Sequence, residues 1–507
     1  MAEPALSSVP PDRPTRSWLD RLWSSIAEHG RHFVTFPNAD LPSRERAELL
    51  ADSLLGGRGE ASGAALAAGL LSAIGGLSPA DRIGFLEFLA THFEPDHDRL
   101  ETAARAYLAA PGAETATVLA DAAEPPRQEL LRRMNMAPGG TAALVAMRRA
   151  ALAELPRNQA LRPLDADLRH LFASWFNRGF LELRRIDWRT PAFVLEKLIE
   201  YEAVHEIQGW EDLRRRLAPD RRCFAFFHPS LPDEPLIFVE VALVKGLAEA
   251  IGPLLARESE ELAAEAALHD AAERADTAIF YSISNCQEGL RGISFGNFLI
   301  KQVVEELQAE LPRLKRFSTL SPVPGLRRAA LALLDLSVPP APWLAPEERE
   351  TLMRAAGIAA DPTPDPARDA DLLKTVLETR NWWSDVSLAG ALRAPLLRFA
   401  ALYLTGGFKA SEVREAARPD PVARFHLGNG ARLERVNWLG NPSARGIAES
   451  FGVMVNYLYD PDAIEARHEA YLRDGTVARA SGVDQLMAMP GQSWFARRAR
   501  GVAAAGP

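Results

Sequence analysis

A glycine-punctuated stretch from Gly289 to Gly296 is the segment whose residue types and spacing invite chemistry, while Ser321 and His426 have side chains capable of it but no spacing that assigns them a role. The stretch reads Gly289-Leu290-Arg291-Gly292-Ile293-Ser294-Phe295-Gly296-Asn297. It separates an apolar run at 278–283 from a helical pattern at about 298–311. A strand, a glycine-rich turn and a helix start together make an anion site. Glycines let the backbone approach a phosphate, and the free amides and dipole of the helix face it. A plain glycine-rich connection has the same composition, so these residues alone leave both readings open. The Gly-Lys-Ser/Thr ending of a P-loop is missing. Lys301, Lys315, Arg316, Arg327 and Arg328 follow, either as counter-charges for a polyanion or as a solvated basic surface.

Ser321 ends the run Phe317-Ser318-Thr319-Leu320 and begins a rigid turn, Pro322-Val323-Pro324-Gly325. Proline fixes the backbone there and gives the hydroxyl a defined exit. A serine before proline is also an ordinary turn residue, and the spacing alone assigns it no catalytic role. No Gly-x-Ser-x-Gly elbow occurs. His426 precedes Asn429-Gly430, a tight-turn signal. An imidazole titrates near neutral pH and suits proton transfer, but a structural histidine has the same signature. No histidine pair has metal-site spacing, and no metal is expected.

The elements that must hold these residues follow from composition and periodicity. With 507 residues, 47% hydrophobic and 25% charged, the chain is expected to form two or more soluble domains. From about residue 17 to 175 it is rich in Ala and Leu and broken by Gly and Pro, which predicts a string of helices. The clearest has Ser78 as cap, Pro79 at its first position and Ile83, Leu86, Leu89, Ala90 and Phe93 on one face. Another apolar-faced helix is expected over 165–186. Beyond about 175 come strand signals at 222–227, 236–243, 278–283 and 433–438, and helices near 371–379 and 389–404. The formal charge of -9 argues against broad nucleic-acid binding but allows a local basic pocket. Two cysteines, Cys223 and Cys286, exclude a secreted disulfide framework. The longest apolar-rich run, 64–74, is too short to cross a bilayer. Met1 is not followed by a signal-peptide pattern and the chain does not end in Ser-Lys-Leu, so a bacterial cytoplasm is expected.

Arg291 to Gly296 resembles the R/Q-x-x-G-x-G/A pyrophosphate loop of the GNAT acetyltransferase superfamily, with Ser294 replacing the middle glycine. More broadly, the chain resembles the malonyl-CoA decarboxylase family. The blocks that carry the likeness lie at 277–284, 287–292, 298–301, 320–325, 425–438 and 456–459, with His170-Leu171, Ser174-Trp175-Phe176 and Glu202-Ala203-Val204-His205 before them. The likeness spans roughly residues 165–465. It implies an α+β protein: an all-helical domain over 1–175 and a GNAT-like mixed α/β catalytic domain over 176–507. It implies decarboxylation of malonyl-CoA to acetyl-CoA and CO2 without an organic cofactor, in malonate and fatty acid metabolism. Ser321 and His426 match the family's catalytic pair, and residues Arg291, Gly292, Ile293, Ser294, Phe295, Gly296 and Asn297 match its CoA loop. Ser282 and Tyr459 match supporting positions. His426, as an imidazolium, would protonate the enolate carbon, while Ser321 would bind the carboxylate or the developing oxyanion. Ser294 stands where animal members carry an acidic residue, which removes a carboxylate from that position. Ala192 stands where some animal members use an intersubunit cysteine, so that disulfide is excluded. The helical domain is expected to support a homo-oligomer. A GNAT acetyltransferase, or a helical scaffold with a vestigial CoA domain, are the competing readings; release of CO2 without an acceptor separates them.

Overall fold

A computed structural model describes residues 18–38, 40–56, 59–256, 265–293, 299–335, 343–359, 365–407 and 419–488. Two compact units emerge: Met1–Glu182 with Phe226–Ile237 and Asn285–Gly296, and Leu183–Ala225 with Phe238–Ser284 and Asn297–Pro507.

The first unit is built on helices, among them Ser43–Leu55, Glu60–Gly75, Pro79–His92, Pro126–Met136, Gly140–Glu154 and Arg162–Trp175. Ser78 caps Pro79–His92 by accepting from the Asp81 amide (3.1 Å). Leu86, Leu89, Ala90 and Phe93 are buried as the spacing predicts, and Phe85 joins them. The last turn of this helix is closed by buried Arg127. Its guanidinium donates to the carbonyls of Leu89 (3.2 Å) and Ala90 (2.7 Å) and pairs with Asp167 at 2.7 Å. The helix expected over 165–186 stops at Trp175. Asn177 is the reason: its side chain donates to the Ser174 carbonyl (3.1 Å) and accepts from the Gly179 amide (3.0 Å), a local turn that competes with the helix.

The second unit holds a mixed eight-stranded sheet: β1 Glu182–Ile186, β2 Arg221–Phe227, β3 Ile237–Val244, β4 Thr277–Asn285, β5 Arg316–Thr319, β6 Ser321–Pro322, β7 Arg432–Asn437 and β8 Met454–Tyr459. Its order is β1-β2-β3-β4-β5-β8-β6, with β7 also on β8. β4 and β5 are parallel, joined through the helix Leu299–Glu310. β8 runs antiparallel to β5, β6 and β7. All seven residues of β2 are buried, which explains the apolar run Cys223–Phe227 that follows its two arginines. Ile279, Tyr281, Leu320 and Met454 share one cluster. Strand alternation therefore turns Phe280, Ser282 and Ser284, with Thr319 and Ser321, to the opposite face.

The longest described helix is Val386–Leu404, with Pro395 inside it. By length and composition it is long and apolar enough to cross a membrane, which the 64–74 run is not, yet two-thirds of it is buried within the protein (67%). Cys223 and Cys286 are both buried.

Candidate active site

Four side chains from three separate stretches of the sequence, Thr319, Ser321, His426 and Tyr459, form one buried chain of hydrogen bonds. Ser321 Oγ donates to Thr319 Oγ1 (2.9 Å). Its lone pair then accepts the Nε2–H of His426 (3.1 Å), and Nδ1 is left to accept from the Tyr459 hydroxyl (2.8 Å). The imidazole stacks on Tyr457, with centroids 4.7 Å apart at 25°. All four residues are buried, His426 at 3% exposure.

Each position has a local cause. The Thr319 hydroxyl accepts the Tyr457 amide of β8 (3.2 Å) and the Thr319 carbonyl accepts from Asn456 Nδ2 (2.8 Å). These bonds tie the chain to β8 where β5 ends and β6 begins, and Ser321 pairs with Val455. Tyr459 faces Phe317 across β5 and β8. His426 rides on the helix Pro421–Gly428, capped by Asp420 and started by Pro421.

Burial alone pushes His426 down to about 3. The imidazole is thus neutral at physiological pH, contrary to the imidazolium expected from its ordinary titration. The reason is desolvation with no counter-charge: no carboxylate among the described residues hydrogen-bonds the ring.

Ser282 is buried on the same sheet face, but its hydroxyl is engaged elsewhere. It donates to Glu202 (2.9 and 2.7 Å) and lies 3.3 Å from Ser284 Oγ. Glu202 also accepts the amides of Val204 and His205, both at 2.7 Å. Ser318, the neighbour of Thr319, donates instead to the Tyr457 carbonyl (3.1 Å).

The start of the glycine-rich loop is pinned within the first unit. Buried Arg148, paired with Asp165 at 2.8 Å, donates to the carbonyls of Gly289 (2.8 Å) and Arg291 (3.0 Å). A Cβ on Gly289 would lie 2.1 Å from the Val145 carbonyl, so that contact requires glycine. Gly292 has φ +78, a backbone conformation that L side chains rarely adopt. The Arg291 side chain is exposed, Ile293 is buried, and Ser294, Phe295, Gly296 and Asn297 lie outside the described residues. Of the cations expected to meet a polyanion, Lys301 pairs with Glu465 and Arg316 with Asp276 (2.7 Å).

Thr319, Arg148 and Asp420 escaped the sequence reading. Asp420-Pro421 is a helix-start signal that could have placed His426 on a helix; Arg148 sits in an unremarkable helix and gave no signal.

Residues 179–497 match the model of the malonyl-CoA decarboxylase C-terminal domain, and residues 93–176 match that of the N-terminal domain. The chain is 34% identical to mitochondrial malonyl-CoA decarboxylase of Rattus norvegicus over 438 residues, covering 83% of this chain and 85% of the rat protein. It is 39% identical to the enzyme of that name from Anser anser anser over 315 residues, 62% of this chain and 58% of the goose protein. The crystal structure of malonyl-CoA decarboxylase from Rhodopseudomonas palustris is similar with a TM-score of 0.75 at 49% identity, covering 88% of this chain and all of that one (100%).

Proposed function

Because the chain belongs to the malonyl-CoA decarboxylase family, we propose that it converts malonyl-CoA to acetyl-CoA and CO2, with Ser321 and His426 acting on the acyl group. The observation that carries this reading is the third member of the chain of hydrogen bonds. In a hydrolytic triad a carboxylate orients the histidine and stabilises its charged form. Here Tyr459, a neutral hydroxyl, takes that place. Among the described residues no carboxylate hydrogen-bonds the ring, so Ser321 is not primed as a nucleophile for acyl transfer and the substrate supplies the counter-ion for a charged His426.

A malonyl thioester brings that counter-ion. Its carboxylate, next to the imidazole, favours the charged form and lets His426 take a proton from solvent. The thioester carbonyl lies β to the carboxylate and accepts the electron pair as the C–C bond breaks and CO2 departs. The Ser321 hydroxyl turns away from Thr319 and donates its one hydrogen to the developing enolate oxygen. The imidazolium then gives its proton to the enolate carbon and returns to the neutral state. One proton enters and one is consumed, so the cycle balances without an organic cofactor. The loop Arg291–Asn297 binds the CoA pyrophosphate, which orients the acyl end. The helical domain, residues 1–175, supports a cytoplasmic homo-oligomer while residues 176–507 carry the catalysis.

Purified protein supplied with malonyl-CoA alone should release CO2 and acetyl-CoA in equal amounts. Turnover that requires an amine acceptor would assign the chain to acyl transfer instead.

A further inference from the structure

One buried carboxylate joins the turn that carries Ser321 to the helix that carries His426. Asp420 Oδ1 accepts the amides of Val422 (2.9 Å) and Ala423 (3.0 Å), which caps the helix Pro421–Gly428. Its other oxygen, Oδ2, accepts the Gly325 amide (3.0 Å). Gly325 closes the turn Ser321-Pro322-Val323-Pro324-Gly325. A Cβ there would sit 2.4 Å from the Tyr403 hydroxyl and 3.3 Å from Asp420 Oδ2, so glycine permits the approach. A cap needs only one of the two oxygens. The second spans from the histidine helix to the serine turn, between residues that neither strand pairing nor the helix connects. Burial raises the Asp420 carboxyl above its ordinary value, and the three amide bonds and Arg328 oppose that rise.

We propose that Asp420 is a positioning residue for the Ser321–His426 pair, fixing the hydroxyl turn and the imidazole helix at hydrogen-bond distance through its two oxygens. The inference rests on the reading that this pair acts on the acyl group. Two proline-stiffened segments, one on each side, transmit the constraint: Pro322 and Pro324 in the turn, Pro421 at the helix start. Asp420 touches no reacting atom; it acts through Ser321 and His426.

The test separates capping from clamping. Serine is a good N-cap but is one bond too short to span both partners, so Asp420→Ser keeps the helix start and cuts the link to Gly325. Misplacement by about 1 Å costs on the order of 10²-fold in rate. Asp420→Ser should therefore lower kcat roughly tenfold to a hundredfold and leave KM for malonyl-CoA within about twofold. Asp96→Ala is the control. Asp96 caps His97–Ala109 through the Arg99 amide (2.9 Å), so its loss should lower Tm without changing kcat. Should Asp420→Ser fail to fold, Asp420→Asn serves: isosteric, it keeps one acceptor for the cap and turns an amide donor on the Gly325 N–H, so the same kcat loss is expected. Residues acting as one unit are non-additive. Asp420→Ser should thus slow Ser321→Ala by no more than about threefold. Parental kcat in a folded Asp420→Ser or Asp420→Asn overturns the inference, as does full multiplication of the two effects. Near-parental turnover of Ser321→Ala overturns the reading beneath it.

Discussion

A carboxylate ligand should draw a proton into the site around His426. In the substrate-free protein burial holds this group at about 3, so at pH 6 roughly one site in a thousand is charged. A carboxylate about 4 Å from the ring is worth about 4 kcal/mol at an effective dielectric near 20. At 1.36 kcal/mol per unit, that raises the imidazole by about three units, to roughly pH 6. Ligand binding at pH 6 should then take up about half a proton per site, and at pH 7 about a tenth. The assay is calorimetry at pH 6 in two buffers of different ionisation heat. The ligand is S-(2-carboxyethyl)-CoA, a thioether with no carbonyl to accept electrons and hence no turnover. Acetyl-CoA, which lacks the carboxylate, should bind without uptake. His426→Asn should bind the thioether and take up no proton. Heats that do not depend on buffer in the parent protein would show that the carboxylate draws no proton into the site. Equal uptake in His426→Asn would refute the assignment to this residue.

The same burial makes stability pH-dependent. His426 and His205, pushed down to about 3 and about 4 chiefly by burial, bind protons in the unfolded chain before the folded one. Stability should therefore fall as pH drops from about 6.5 toward those values, by up to about 1.4 kcal/mol per pH unit for each group; thermal melts should show a shallower slope in His426→Asn. Ser321→Ala should lower kcat more than it raises KM, whereas Ser318→Ala loses its bond to the Tyr457 carbonyl (3.1 Å) and a longer one to the Thr319 carbonyl (3.4 Å) and should cost about 1 kcal/mol of stability with kcat kept. Arg148→Met frees the carbonyls of Gly289 and Arg291, and Gly292→Val strains a positive φ. Both should weaken malonyl-CoA binding in calorimetry, and unchanged affinity in the two variants would remove the loop from the CoA site.

Local signals were legible where one short segment decides the outcome. Ser78-Pro79 starts its helix, the apolar runs of β2, β3 and β4 are strands, and the glycine pair at 406–407 follows Leu404. The helix expected to continue past Trp175 failed for an equally local reason, the Asn177 side chain outcompeting the apolar pattern. The pair Ser321 and His426 was reached through resemblance. Their distance depends on β8 and Asp420, and no periodicity encodes a contact 105 residues apart. The neutral state of His426 was not legible either. A residue type announces its ordinary titration, whereas the shift depends on what surrounds the ring: here Tyr457, Tyr459 and Ser321, with no carboxylate hydrogen-bonded to it among the described residues.

The proposed proton transfer from His426, charged by the substrate's carboxylate, to the enolate carbon is tested by CO2 release from malonyl-CoA by the parent and by His426→Asn, with thermal melts on the same preparations. The parent should release CO2 with no acceptor present. The variant should melt as a folded protein, bind CoA as the parent does, and turn over about 10²- to 10⁴-fold more slowly. A folded His426→Asn with near-parental CO2 release would contradict the account.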